Sequence, residues 1–240
     1  MTRAMEILFV GDIQGCAEEL AQLLDRAGFI PGRHRCIPLG DTVNRGPDAA
    51  GVLRLLEEAG AEPLQGNHEL GLLKIGATED PPAWALREGS AWQQLHQAGV
   101  WEEALRRFST WPLVRRGAGW IAVHAGLHPQ LPPEQAGAVF TTTVRWCDSL
   151  GRLPQGVHGD QVQPPPGFAP WHSYYQGPDT VLFGHWARQG LLRLPHLWGL
   201  DTGCVYGREL TGLWWPEQRL VSVPARRVYQ AVRNTREDAG

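Results

Sequence analysis

Five short strings set metal-ligating side chains beside glycine: Gly11-Asp12-Ile13-Gln14-Gly15, Gly40-Asp41-Thr42-Val43-Asn44-Arg45-Gly46, Gly66-Asn67-His68-Glu69, His124-Ala125-Gly126 and Gly184-His185-Trp186. Carboxylates, amide oxygens and imidazoles are the donors that hard to borderline divalent cations take. The strings offer Asp12, Gln14, Asp41, Asn67, His124 and His185 as such donors. One carboxylate shared by two ions allows a pair about 3.5–4 Å apart, the two-metal arrangement that clamps an in-line displacement. Asp41 is the natural bridge. Each string alone has a plainer reading. A Gly-Asp pair usually makes a turn or a helix N-cap, Asn67-His68-Glu69 can cap the helix that follows, and single histidines such as His124 and His185 commonly pack in a core or rim. The weight lies in their joint occurrence, in this order, at successive strand ends.

The elements that must position them follow from periodicity. Glu6 to Val10 reads as a buried strand stopping at Gly11, and Ala17 to Ala27 as a helix with Leu20, Leu23 and Leu24 on one face. Pro31-Gly32 turns the chain into a second strand, Cys36 to Leu39, which ends at Gly40-Asp41. Pro47 suits the first turn of a helix that stops near Gly60. A third short strand is expected to end at Gly66-Asn67, with a helix through Leu70, Leu72 and Leu73 beyond it. This β-α-β-α-β-α order predicts an α/β fold with a mainly parallel sheet, and ligands bind at the C-terminal strand ends of such sheets. Further on, Pro81 to Pro112 is expected to be helical, Trp120 to Val123 and Thr180 to Phe183 to be strands ending at His124 and Gly184-His185, and Leu153 to Pro170 to be a loop. Leu210 to Trp215 and Arg219 to Val223 flank Pro216-Glu217 as a hairpin. These elements make one domain over residues 1–224, followed by a polar, mobile tail over 225–240.

Composition narrows the function classes. The chain has 240 residues, 42% hydrophobic and 20% charged, the balance of a globular protein with room for a full sheet and its helices. Its net charge of −3 gives no global field to attract nucleic acid or an anionic membrane, so an anionic substrate would need local cations. No apolar run reaches a membrane span of about 18–20 residues, and the N-terminal apolar stretch is too short for a secretory signal. Cys16, Cys36, Cys147 and Cys204 lack CxxC spacing and read as free thiols in a reducing cytosol. The expectation is a cytoplasmic protein with no membrane contact and no obligate protein partner.

The order GD–GD–GNH–H–GH resembles that of calcineurin-like metallophosphoesterases. Gly40 to Gly46 and Gly66 to Glu69 narrow the likeness to the phosphoprotein-phosphatase-like branch. Longer strings are similar to the bacterial symmetrical diadenosine tetraphosphatases: GDIQGC at 11–16, GDTVNRGPD at 40–48, GNHELGLL at 66–73, VHAGLHP at 123–129, FGHWA at 183–187 and LDTGCVYGRELTGLWW at 200–215. The resemblance covers nearly the whole chain. It implies β-sandwich-like sheets flanked by helices and an active site at the C-terminal strand ends. It also implies one metal on Asp12, Gln14 and Asp41 and a second on Asp41, Asn67, His124 and His185, with a bridging hydroxide attacking phosphorus. Gln14 stands where the wider superfamily usually has histidine. A neutral oxygen ligand there favours Mn²⁺ over zinc, with Co²⁺ or Mg²⁺ as alternatives.

In the same resemblance His68 is the candidate general acid, and Asn44 occupies the place of the carboxylate that orients it in protein phosphatases. Arg45 is expected to clamp a phosphate bidentately, with Arg145 as a second clamp. The stretch Thr141 to Cys147 keeps Arg145 but has Thr143 where the family has another arginine, and the helical insert after the His124 motif is shortened. Trp146, Trp171, Tyr174 and Tyr175 can either stack on a base or pack in the core. The implied activity is hydrolysis of dinucleoside polyphosphates, diadenosine tetraphosphate to two ADP first among them, with RNA capped by a dinucleoside polyphosphate as a compatible substrate. The alternatives are a serine/threonine protein phosphatase on the same metals, or a catalytically impaired nucleotide-binding module.

Overall fold

A computed structural model describes residues 5–78, 80–156 and 163–231. Two mixed sheets face each other. The first, ordered β11-β10-β1-β2, has four strands: β1 (Ile7–Val10), β2 (Arg35–Pro38), β10 (Glu209–Trp215) and β11 (Arg219–Pro224). The second, ordered β3-β4-β7-β9-β8, has five: β3 (Val114–Gly117), β4 (Trp120–Val123), β7 (Thr180–Phe183), β8 (Leu192–Leu194) and β9 (Leu197–Gly199).

Strand β1 is buried at every position because both its faces are covered. Side chains alternate across a strand. Ile7 and Phe9 therefore meet Trp120, Ala122 and Leu182 of the facing sheet, with the Phe9 and Trp120 rings edge to face at 5.0 Å. Leu8 and Val10 point the other way, onto Leu20 and Leu23 of helix α1 (Ala17–Ala27) and Leu56 of α2 (Ala49–Glu58). Helix α1 ends at Gly28, whose φ of 68° is the left-handed stop that glycine permits. Asp48 caps α2 by accepting the Gly51 N–H at 2.7 Å. Helices α3 (Asn67–Gly76), α4 (Ala91–Gln97) and α5 (Trp101–Thr110) share a separate apolar cluster around Leu72, Leu95 and Phe108. A short helix α6 (Ala138–Thr143) covers the outer face of the second sheet with Phe140. Between these, β5 (Trp146–Cys147) pairs with β6 (Ala169–Pro170).

The structure corrects three expectations. The sheets are not mainly parallel: β1-β2, β4-β7 and β7-β9 are parallel, while β1-β10, β10-β11, β3-β4 and β8-β9 are antiparallel. The segment before Gly66 is no strand. It runs beside β2, donating from Glu62 N–H to the Cys36 carbonyl and from Leu64 N–H to Pro38, without completing a ladder. Residues 81–90 form turns rather than helix, because Pro81-Pro82 and Gly89 disfavour helical backbone there. The hairpin over β10 and β11 forms as expected, each strand one residue longer at its outer end. Part of the expected 153–170 loop, residues 157–162, lies outside the described residues, as do residues 232–240 of the expected tail. Residues 225–231 lie against the domain: Glu19 accepts from Arg226 N–H and the Tyr229 hydroxyl, and Val205 accepts from Tyr229 and Gln230 N–H. Among the described residues no helix is long and apolar enough to cross a membrane.

Candidate metal centre and substrate cleft

Parallel neighbours bring the motifs to one edge. Asp12 and Gln14 follow β1, and Asp41 follows the adjacent β2. His124 follows β4, and His185 follows the adjacent β7. Asn67 and His68 open α3. The chain leaves these strands by unusual turns. Gln14, Asp41, Asn44, Arg45 and His185 all have left-handed φ, at 48°, 47°, 82°, 65° and 67°. Such conformations at residues other than glycine each cost about 1–3 kcal/mol and persist where surrounding structure over-determines them. Here Gln14 N–H donates to the Asp41 carbonyl at 2.8 Å, Gly15 N–H to Thr42 at 2.9 Å, and Gly46 N–H back to Gln14 at 2.8 Å. Two glycines leave room for the carboxylates: a Cβ on Gly66 would strike Asp41 Oδ1, and one on Gly184 would strike Asp12 Oδ1.

Glu69 is the support that sequence reasoning passed over. Its carboxylate is fully buried and accepts from Asp41 N–H (3.0 Å), Thr42 N–H (2.8 Å), the Thr42 hydroxyl (2.9 Å) and Gly66 N–H (2.8 Å). The signal was its place in the first turn of α3, where a glutamate can reach back to the cap amide. Glu69→Ala leaves those donors unpaired, so it is expected to lose about 2–4 kcal/mol of stability. Urea titration followed by circular dichroism checks this, and an unchanged midpoint would refute it.

Ligand atoms of Asp41, His124 and His185 lie within 4.8 Å of one another. His124 Nδ1 lies 2.8 Å from the Leu39 carbonyl, which can only accept, so Nδ1 carries the hydrogen and Nε2 faces inward. There Nε2 meets Asn67 Oδ1 at 3.2 Å and Asp41 Oδ1 at 3.4 Å. A neutral ring would put three acceptor atoms together, which only a proton or a cation can reconcile. Burial opposes a charge on His124, but Asp41 and Asp12 outweigh it and push its pKa up to about 10. Burial would likewise raise Asp41; His124 and His68 instead hold it well below the usual carboxylate range. Asp12 goes the other way, raised by burial and by the neighbouring Asp201. His185 is held neutral by burial and by Arg145, and its buried Nε2 has no hydrogen-bond partner among the described residues. Buried carboxylates that repel one another beside an unpartnered imidazole nitrogen fit divalent cations, whose charge would favour the ionised acids and the neutral rings.

Gln14 is buried beside this cluster, its amide nitrogen donating to Asp12 Oδ2 at 3.3 Å while its oxygen accepts from Arg45 Nη1 at 3.3 Å. His68 has Nδ1 3.0 Å from the Val43 carbonyl and Nε2 3.5 Å from Asp41 Oδ2. Its orienting partner is therefore a backbone carbonyl. Asn44 instead accepts from Arg45 N–H at 3.2 Å.

Residues 5–189 match the calcineurin-like phosphoesterase family. The chain belongs to that family. It is similar to the symmetrical bis(5′-nucleosyl)-tetraphosphatase of Aromatoleum aromaticum, with 30% identity over 92% of this chain and 97% of the relative. The enzyme of that name from Coxiella burnetii is 31% identical over 90% of each chain. A crystal structure of a candidate diadenosine tetraphosphatase superposes with a TM-score of 0.75 at 33% identity, over 93% of this chain and 95% of that one. A yeast serine/threonine phosphatase related to human PP5 shares the fold alone, with a TM-score of 0.56 at 16% identity over 97% of this chain and 82% of that one. The expected architecture, facing sheets flanked by helices, is thus that of the family.

In this phosphoesterase a cleft of about 1150 Å³ carries Asn44, Arg45, Arg145, His185 and Asp201 on its lining. Arg45 is exposed, and its Nη1 also donates to the Tyr206 hydroxyl at 2.8 Å. Arg145 has a buried Nε with no hydrogen-bond partner among the described residues. Burial lowers its pKa against the pull of Asp201. Thr143 is exposed and bonds back to the Val139 carbonyl at 2.6 Å, within its own helix. Asp201 and Tyr206 escaped residue-level reading although they lie in the 200–215 string. Burial pushes the Asp201 carboxyl up to about 6. Of the aromatic candidates, Trp146 and Trp171 are buried at 3% and 1% exposure, and none of Trp146, Trp171, Tyr174 or Tyr175 lines the cleft. Trp171 packs on Phe183 at 5.1 Å.

Proposed function

We propose that this phosphoesterase hydrolyses dinucleoside polyphosphates, splitting diadenosine tetraphosphate into two ADP. The observation that carries the reading is the Asp41–His124–His185 cluster opening onto a cleft lined by Arg45 and Arg145. The names of the relatives that match the chain end to end support the substrate class.

In this reading Asp12, Gln14 and Asp41 hold one divalent ion, and Asp41, Asn67, His124 and His185 the other. Bound ions of this kind lower the pKa of water and stabilise charge on phosphoryl oxygens. Arg45 grips the attacked phosphate from a loop in which its own N–H donates to the Asn44 side-chain oxygen, and Tyr206 holds the guanidinium over the cleft. Arg145 grips a neighbouring phosphate. His68 protonates the leaving oxygen from Nε2. The ions are Mn²⁺ in preference to Co²⁺ or Mg²⁺. The setting is cytoplasmic, RNA capped by a dinucleoside polyphosphate is a compatible substrate, and residues 1–224 act as one domain ahead of the 225–240 tail.

The test is product analysis after incubating Mn²⁺-loaded protein with diadenosine tetraphosphate. ADP alone supports the proposal. AMP with ATP would mean asymmetric cleavage, and phosphate released only from phosphopeptides would make the enzyme a protein phosphatase. Tight nucleotide binding without turnover would leave a binding module.

The first site's metal preference supplies a separate prediction. Gln14→His replaces a neutral oxygen donor by imidazole, so zinc affinity relative to Mn²⁺ is expected to rise about tenfold or more. Competitive loading followed by metal analysis measures it, and an unchanged zinc-to-manganese ratio would remove Gln14 from the ligand set.

A further inference from the structure

Residues 82–90 form a wall of the cleft that the metal centre does not use. The wall is compact. Ala85 is fully buried and its N–H reaches the Pro82 carbonyl at 2.8 Å, while the Ser90 hydroxyl donates to Ala85 and the Ser90 N–H to Arg87. It is also tied to the loop bearing Arg45. Gln94 Nε2 donates to both Gly89 O (2.6 Å) and Gly46 O (2.9 Å), and Gln94 Oε1 accepts from Ala49 N–H at 2.6 Å. Arg45 and residues 82–90 are thereby held in one frame.

On this wall Trp84 is 40% exposed and lines the cleft. Its ring has no aromatic or cationic partner among the described residues, whereas nearby Trp92 packs on His96 at 4.1 Å and on Trp101 at 6.4 Å. Arg87 is exposed on the same lining and makes no ion pair among the described residues. A large apolar ring left to solvent inside a concave site, next to an uncompensated cation, matches a base with a phosphate attached. The rest of the lining agrees. Arg45, Arg87, Arg145, Arg188, Arg208 and Arg227 face it against the acids Glu88 and Asp201, in a chain whose net charge is −3. These are the local cations that an anionic substrate needs in a net-acidic protein. The volume, about 1150 Å³, exceeds the roughly 300–1,000 Å³ of pockets for a drug-sized ligand, so there is room for more than one nucleotide.

We propose that Trp84 and Arg87 form a distal nucleotide subsite, in which the indole stacks on one nucleobase and the guanidinium pairs with an outer phosphate of the same nucleoside diphosphate arm. This rests on the reading of the substrate as carrying two nucleoside ends. Base–aromatic stacking and single guanidinium–phosphate pairs each alter affinity by about 5- to 30-fold.

The experiment compares kcat and KM of the full-length Mn²⁺ enzyme and of its Trp84→Ala, Trp84→Phe and Arg87→Ala variants. The substrates are diadenosine tetraphosphate and p-nitrophenyl phosphate, which offers neither base nor second arm. Trp84→Ala and Arg87→Ala are expected to narrow the kcat/KM preference for the dinucleotide about 5- to 30-fold, mainly through KM. Trp84→Phe is expected to restore most of what Trp84→Ala loses. An unchanged preference, or equal losses on both substrates as from a damaged wall, would overturn the subsite while leaving the proposed function standing. A wild-type enzyme that does not cleave the dinucleotide would overturn that function, and the subsite's ligand with it.

Discussion

Asp41→Asn is expected to lower turnover of diadenosine tetraphosphate with Mn²⁺ by at least about 10³-fold, because one residue serves both proposed metal sites and the stabilisation at stake is several kcal/mol. Asp41 Oδ1 accepts the His68 N–H at 2.9 Å and lies 3.4 Å from His124 Nε2, while Oδ2 lies 3.5 Å from His68 Nε2. Asparagine is nearly isosteric and can keep the bond from the His68 amide through its oxygen. The amide nitrogen then stands where the second carboxylate oxygen was, so the variant loses a charge and one donor atom without losing shape. Metal analysis after dialysis should find about two manganese ions per wild-type chain and fewer in the variant. Mn²⁺ should also raise the melting temperature of the wild type more than that of the variant, since a ligand bound only by the native state stabilises it. A variant with full metal content and wild-type turnover would eliminate Asp41 as the bridge.

Asp41 is legible in the sequence through local signals. Ile7 to Val10, Cys36 to Leu39, Trp120 to Val123 and Thr180 to Phe183 are apolar runs too short for helices, and each stops at or just before a polar donor. Sequence adjacency therefore placed Asp12, Asp41, His124 and His185 at strand ends, and parallel pairing of β1 with β2 and of β4 with β7 set those ends side by side. What escaped depends on contacts between distant residues. Glu69 matters because it takes amides from Asp41 and Thr42, and Tyr206 because it meets Arg45, a separation of 161 residues. No periodicity encodes either bond. Strands β3, β8 and β9 were missed because they are short, and β3 and β8 lie at sheet edges and are partly exposed, which removes the apolar pattern that would mark them. The mainly parallel sheet was an extrapolation from the first third of the chain, which the antiparallel β10–β11 hairpin beside β1 breaks.

The left-handed residues are the clearest case of local rules giving way at a site. Gln14, Asp41, Asn44, Arg45 and His185 would each relax elsewhere, and each is flanked by a glycine or by another residue of the same turn. The crossed backbone hydrogen bonds between the 12–16 and 41–46 loops, with the Glu69 carboxylate beneath, hold that strain in place. The energy so stored fixes donor directions before any ion or substrate arrives, which is what a preorganised site requires.

His68→Asn tests the other large contribution, and the leaving group decides how large it should be. The His68 backbone N–H, not its ring, holds Asp41 Oδ1, so the substitution removes the imidazole while sparing that bond. The ring's Nδ1 hydrogen is committed to the Val43 carbonyl, leaving Nε2 to carry the transferable proton. Burial pushes the ring's pKa down to about 4 against the pull of the Asp41 carboxylate, so the resting ring is neutral and Nε2 must first take up a proton before it can pass one to the leaving oxygen. Protonation of this kind contributes about 10²–10⁴-fold, the more so the more basic the leaving oxygen. Turnover of phenyl phosphate by His68→Asn is accordingly expected to fall towards the upper end of that range. p-Nitrophenyl phosphate and diadenosine tetraphosphate, whose leaving oxygens are weaker bases, should fall nearer the lower end. Measured across substituted phenyl phosphates, log kcat should depend more steeply on leaving-group pKa in the variant than in the wild type. Parallel slopes would mean that His68 positions Asp41 rather than donating a proton.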